Sequence, residues 1–294
     1  MGYLILNDRL MFNGRTQFKK TKFLEGSILR SRLFEIGYGS KFNADTVRES
    51  SNFALKVQAN FIDLSEVKTE IFYRSTGRNT RITRGSPLAP YIDMPKGIGG
   101  YIEFTGPRKP KYIYSLRFER GKGSEHSPGI SWKNSSRAFI KFMPRDNLSF
   151  NMSYNLSDEK NWLNWLDDNL LATYERKQRT SVFELEWFKN NKHELRIKAQ
   201  LVAFTGRNPT PYLGDKKGNL IPINISISPI TISELAFQVR YRYEIMPLSY
   251  LYLVYSKGGR VSLNDEEDDL SNLYRRPWND PSDENFTIKL RYRF

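Results

Sequence analysis

The nine residues at 286–294 (FTIKLRYRF) alternate apolar and polar without a break and end on an aromatic. Phe286, Ile288, Leu290, Tyr292 and Phe294 share one parity; Thr287, Lys289, Arg291 and Arg293 share the other. An extended strand sends successive side chains to opposite faces, so this segment presents one face that requires hydrocarbon and one that requires water. A half-buried strand of a soluble sheet meets the same requirement. The remainder of the chain has to decide between them.

The pattern recurs along most of the sequence. Phe53, Leu55, Val57, Ala59 and Phe61 oppose Lys56, Gln58 and Asn60. Tyr112, Tyr114, Leu116 and Phe118 oppose Ser115, Arg117 and Glu119, and Leu148, Phe150, Met152, Tyr154 and Leu156 oppose Ser149, Asn151, Ser153 and Asn155. Leu195, Ile197, Ala199, Leu201 and Ala203 oppose Glu194, Arg196, Lys198 and Gln200. Leu235, Phe237, Val239, Tyr241, Tyr243 and Ile245 oppose Glu234, Gln238, Arg240 and Arg242. Most runs last roughly 9–13 residues, the length with which a tilted strand crosses a bilayer. Strands of soluble sandwiches are usually nearer ~5–6 residues. No segment of comparable length repeats at helical spacing, so the chain reads as all-β.

Connections alternate in length. Short turns fall at 63–66, 106–109, 144–147, 190–192 and 246–247; long polar loops rich in Gly, Pro, Asn and Asp fall at 75–96, 121–130, 157–169, 206–231 and 258–284. This sorting predicts an antiparallel up-and-down transmembrane β-barrel with tight periplasmic turns and large extracellular loops. A Greek-key sandwich does not sort its loops in this way. Residues 1–294 then form a single barrel domain of about 13–14 strands, the earliest expected at 3–7 and 29–42. Counting back from the end gives about thirteen, whereas a bacterial barrel has an even number. With no signal-like segment at 1–12 (MGYLILNDRLMF), the expectation is a C-terminal part of a longer protein lacking at least one upstream strand.

Composition sets further bounds. Mean hydropathy is −0.60, and no run approaches the ~18 apolar residues of a membrane helix. A barrel strand turns only alternate residues to lipid, so strand crossing stays open. Seventeen Tyr, nineteen Phe and five Trp suit interfacial aromatic girdles. The absence of cysteine excludes disulfides, thiolate metal sites and a cysteine nucleophile. A net charge of +14 suggests nucleic acid, but the cations are interleaved with glutamates at alternate strand positions, as in Glu194, Arg196, Lys198 and Arg240, Arg242, Glu244. The expectation is a wet, mixed-charge lumen with a positive bias and no nucleic-acid partner.

Residues 238–259 (QVRYRYEIMPLSYLYLVYSKGG) resemble the C-terminal barrel of the domain-of-unknown-function 5916 family, whose members carry an Arg/Tyr-rich strand, a tight turn with Pro and Ser, and a strand close to LYLVYS followed by Gly-Gly. The segments NWLNWLDDNLLATYERKQ at 161–178 and HELRIKAQ at 193–200 support the likeness, which is clear over roughly the last 140 residues. The resemblance implies a Gram-negative outer-membrane location and an upstream module similar to family-nine carbohydrate-binding domains. It supplies no activity and no catalytic residues.

No catalytic, cofactor or metal site is expected. Ser124, Glu125 and His126 are adjacent and cannot converge as a triad. His193 follows a short turn, and two distant histidines without cysteine make a poor metal site. The acidic run from Asp265 through Glu266, Glu267 and Asp268 to Asp269 reads as a cation-bridging site or, more simply, as a solvated loop. Trp162 and Trp165 read as girdle residues rather than sugar-stacking platforms. Gly258-Gly259 reads as a loop entry and Gly99-Gly100 as a strand kink.

The functional surface is the set of candidate lumen-lining basic residues Arg117, Arg196, Lys198, Arg240, Arg242, Lys289, Arg291 and Arg293. They either attract anions in a pore or pair with Glu119, Glu194, Glu234 and Glu244 in a closed interior. Tyr292 and Phe294 resemble the terminal signal read by the barrel-assembly machinery. Expected partners are outer-membrane lipid and lipopolysaccharide, that machinery, and anionic or carbohydrate-derived solutes. A channel, a non-conducting anchor for a carbohydrate-binding module, and a barrel-borne surface hydrolase acting through His126 are the function classes that follow.

Overall fold

The structure is a computed structural model that describes residues 9–43, 48–122, 131–264 and 269–293. Its elements are β1 (Arg9–Lys20), β2 (Leu29–Asn43), β3 (Arg48–Phe61), β4 (Glu66–Arg74), β5 (Gly77–Asn79), β6 (Ile92–Met94), β7 (Gly97–Thr105) and β8 (Tyr112–Lys122). There follow β9 (Trp132–Arg145), β10 (Leu148–Asp167), β11 (Leu170–Asn190), β12 (His193–Gly214), β13 (Leu220–Pro222), β14 (Ile230–Met246), β15 (Ser249–Leu263), α1 (Leu270–Asn279) and β16 (Asp283–Arg291).

Thirteen strands form one antiparallel sheet in the order β1-β2-β3-β4-β7-β8-β9-β10-β11-β12-β14-β15-β16. These thirteen strands follow one another across the sheet in chain order, the up-and-down order that the loop lengths predict. The short β5 and β6 pair only with each other, and β13 adds to the end of β12. The expected closure is not seen. Among the described residues β1 pairs only with β2 and β16 only with β15, so the sheet is open at both edges. With thirteen antiparallel strands, β1 and β16 run in the same direction, and the antiparallel pairing used throughout the sheet cannot join them directly.

Local chemistry explains the short rim. The Asp63 carboxylate accepts hydrogen bonds from the Ser65 amide at 2.9 Å and the Ser65 hydroxyl at 2.6 Å. Asn190 Oδ1 accepts from the amides of Lys192 and His193 at 2.9 and 3.1 Å. Side chains that bond their own backbone two or three residues on are the ordinary means of closing a tight turn. All five short turns read from the sequence lie between consecutive strands of the sheet.

The opposite rim departs from expectation. The loop read at 157–169 is strand: β10 and β11 run on to a two-residue turn at Asp168-Asn169. β12 likewise extends to Gly214, and α1 occupies part of the last long connection. Bulges at Asn161 (φ 57°) and Asn208 (φ 48°) insert one extra residue each, a left-handed position that Asn tolerates. Beyond the bulges the strands are covered by the β5–β6 segment. Ala89 and Ile92 pack on Leu163 and Leu171, and the Ser86 hydroxyl donates to Asp168 at 2.6 Å. The first strand described is β1 rather than one at 3–7, which lies outside the described residues.

Register sorts the side chains into two faces. Following Cα partners across the sheet, one face carries Phe12, Phe34, Leu55, Ile71, Ile102, Leu116, Ile140, Met152, Phe183, Ile197, Val239, Leu253 and Ile288. The other carries Arg15, Glu35, Lys56, Glu70, Glu103, Arg117, Glu184, Arg196, Arg240 and Lys289. Over β2–β9 it is the apolar side chains that are the more exposed: Ile102 is 51% and Phe118 56% accessible, while the Glu35 side chain is 12% accessible. A water-soluble sheet buries its apolar face; along these strands this one does the reverse.

Candidate functional site: the charged face of the sheet

The eight candidate basic residues divide into two groups. In the first, cross-strand and same-strand carboxylates hold the cation. Arg117 Nη2 lies 2.9 Å from Glu119 and Nη1 3.4 Å from Glu103, and its guanidinium stacks 3.6 Å from the Tyr101 ring centre. The Tyr101 hydroxyl donates to Glu70 at 3.3 Å. Arg196 pairs with Glu194 and stands 3.7 Å from Glu186. Arg242 Nη2 reaches Glu194 at 2.8 Å, so one carboxylate, 9% accessible, serves two arginines. Lys198 Nζ lies 2.7 Å from Glu184, which also accepts from Asn151 at 3.4 Å.

The second group is Arg240, Lys289, Arg291 and Arg293, all exposed and in no ion pair among the described residues. Arg240 sits directly across from Arg196 in the β12–β14 register, and Lys289 lies across Tyr252 from Arg242. Like charges facing one another repel unless an anion or water lies between them. This corner of the sheet therefore has cationic capacity that its own carboxylates do not neutralise.

Of the glutamates expected as partners, Glu119 and Glu194 are paired as read. Glu234 instead meets Arg260 at 3.3 Å. Glu244 joins no ion pair among the described residues; its amide donates to the Lys192 carbonyl near the short rim.

Sequence reading missed a second charged cluster nearer the long rim. Arg176 lies 3.3 Å from Glu159, whose side chain is 3% accessible, and its guanidinium stands 5.5 Å from the Trp162 ring. Trp162 in turn meets Phe204 edge-on at 5.3 Å and Tyr174 at 6.2 Å. The girdle assignment for Trp162 is thereby corrected: beyond the Asn161 bulge its ring lies on the charged face, with Phe204 and Arg176. Trp165 caps the β10–β11 turn, donating to the Asp168 carbonyl at 2.8 Å under the Arg84 guanidinium.

His193 Nδ1 lies 2.5 Å from the Tyr241 hydroxyl, and its ring stacks on Tyr243 at 4.7 Å, a packed turn residue on the apolar face. Among the described residues no three His, Asp or Glu side chains converge as metal ligands. His126 and residues 265–268 lie outside the described residues. Asp269 caps α1, and the Ser271 hydrogen bonds hold its carboxyl below the usual aspartate range. No protein-family model matches this chain, and no curated protein and no solved structure matches it.

Proposed function

We propose that the protein is a transmembrane β-barrel of the bacterial outer membrane, of the kind found at the C-terminus of domain-of-unknown-function 5916 proteins, and that it forms a conduit with a basic-biased polar lumen. One observation carries this reading: a continuous apolar face, in register across all thirteen strands, that is the more exposed of the two over β2–β9. Soluble monomers rarely expose contiguous apolar patches beyond a few hundred Å², and hydrocarbon is the solvent that favours a larger one. The ion-paired opposite face suits a water-filled interior, where partly screened pairs persist.

Closure into a barrel requires an odd number of further antiparallel strands between β1 and β16. One such strand brings the total to an even number, as bacterial barrels have. The apolar parity of β16 at Phe286, Ile288 and Leu290 is continued in the sequence by Tyr292 and Phe294, consistent with a terminal assembly signal there. Arg240, Lys289 and Arg291, in no ion pair among the described residues, favour anionic solutes.

Planar-bilayer recording of the refolded protein tests the proposal. Steady anion-preferring openings that weaken in Arg240→Glu support a conduit. A silent, heat-modifiable, lipid-inserted protein supports a second reading, an anchor for a binding module. The pairing of Arg117, Arg196, Lys198 and Arg242 with their own carboxylates is what favours that second reading. A protein that stays soluble without detergent contradicts both.

A further inference from the structure

The position of α1 decides where the last long connection goes. Among the contacts that hold the helix to the sheet, four are made with β14 and β15. The Ser233 hydroxyl donates to the Leu273 carbonyl, and the Gly259 backbone lies against the Pro277 carbonyl. The Phe237 ring meets the Trp278 ring edge-on at 5.4 Å, and Lys257 Nζ stands 4.9 Å from the Trp278 ring centre. Leu273 and Pro277 are fully buried in this contact.

All four sheet residues lie on the apolar face. Phe237 pairs across to Lys257 and Leu235 to Gly259, and neither β14 nor β15 carries a bulge between these positions and Val239 or Leu253. Lys257 in turn pairs with Glu284, two residues before Phe286 on the same side of β16. The helix therefore does not fold over the charged face. The β5–β6 segment also docks on the apolar side: Gly214 leaves room for Ala89 and Ile92 beside Leu171, whose parity on β11 is that of Phe183. At this level the apolar face turns polar, with Asp158, Arg179, Lys257 and Glu284 replacing the aliphatic residues below.

Resting on the barrel reading above, we infer that α1 is an external collar: it lies outside the wall at the outer margin of the apolar band and contacts the headgroup layer of the surrounding lipid. It is not a plug in the lumen. Arg275 and Asn279 are exposed on the helix, and Trp278, whose ring packs on Phe237, is still 43% accessible. An indole beside cationic side chains, continuous with an apolar band, is the arrangement that settles at a membrane interface. The described helix of the last long connection thus lies on the outside and does not cover the charged face.

Single nitroxide labels at Asn279→Cys, Ile102→Cys and Gln238→Cys, in vesicles carrying a nickel-chelating lipid headgroup, test this. The collar predicts strong relaxation of the label at 279 by headgroup nickel, and weak relaxation at 238 on the charged face. The label at 102, within the band, responds to dissolved oxygen and little to a soluble nickel chelate. Ser271→Cys reports the other end of the helix should the 279 variant fold poorly. Labels at 279 and 271 that respond to soluble nickel as 238 does, and not to the headgroup chelate, overturn the collar while leaving the barrel standing. Soluble nickel reaching 102 overturns the barrel reading itself.

Discussion

Gly259 lies so close to the carbonyl oxygen of Pro277 that a Cβ built on it stands 2.3 Å from that oxygen. The contact is backbone against backbone, so no side-chain rotation relieves it. Glycine here is a requirement of close approach, and it ties the strand before the last connection to the helix within it.

Gly259→Ala is accordingly expected to lift α1 from the sheet while leaving the strands in place. The cost is about 1–3 kcal/mol, the usual range for overpacking a fitted contact. Limited proteolysis checks it: cleavage within residues 270–279 accelerates, and the rest of the protein keeps its protection. Unchanged cleavage means that the helix is not held by this contact.

Glu194 serves both Arg196 and Arg242. Glu194→Gln removes the carboxylate that Arg196 and Arg242 share and leaves Arg196 only the more distant Glu186. Because both arginines are partly exposed, we expect a loss of roughly 1–2 kcal/mol rather than the ~3–5 of a fully buried pair. Urea unfolding of the lipid-inserted protein measures it, and a double-mutant cycle with Arg242→Met is expected to recover part of the loss. If the face lines a conduit, the same substitution raises anion preference.

The turn between β14 and β15 places Leu248 at φ 66°, after Pro247. Proline at the second position and a left-handed residue at the third is a turn that favours Gly or Asn there. Leu248→Asn is expected to stabilise by roughly 0.5–1 kcal/mol, part of the ~1–2 kcal/mol that a left-handed L-residue costs. An unchanged or lowered urea midpoint contradicts the expectation.

Asp63 closes the β3–β4 turn, and the hydroxyl and then the amide of Ser65 hold its carboxyl below its ordinary value of 3.8. A carboxyl whose value is lowered on folding contributes stability above its unfolded value, and loses that contribution as the pH falls through the folded one. The destabilisation by Asp63→Ala is therefore expected at neutral pH and is expected to fade in acid below the folded value. Unfolding midpoints of both proteins across that range check it; a difference independent of pH assigns the turn to packing rather than to the carboxylate.

Much of the sheet was legible because a period of two survives local noise. Every apolar run from Phe53 to Phe61 through Phe286 to Leu290 lies on one face. Same-strand pairs such as Arg117–Glu119 and Glu194–Arg196 were legible as well, since their spacing alone brings them together. Glu234–Arg260 was not, because it depends on the register of two strands. β10 beyond Leu156 reads as a loop because SDEKNWLNWLD at 157–167 is polar and the Asn161 bulge reverses its parity. That reversal is what moves Trp162 to the charged face. α1 escaped notice because it is ten residues long, contains Pro277 and is held by the sheet rather than by its own periodicity. β1 was missed because Met11, Gly14 and Thr16 dilute its alternation.

In the proposed barrel the apolar face meets lipid and the charged face meets water. Four single-cysteine variants along β3, at Leu55, Lys56, Val57 and Gln58, test it most directly when the vesicle-inserted protein is exposed to a water-soluble maleimide. Positions 56 and 58 are expected to react and 55 and 57 to be protected, with the protection lost once lipid is replaced by denaturant. Reaction at all four positions, or protection at 56 and 58 with 55 and 57 open, would contradict it.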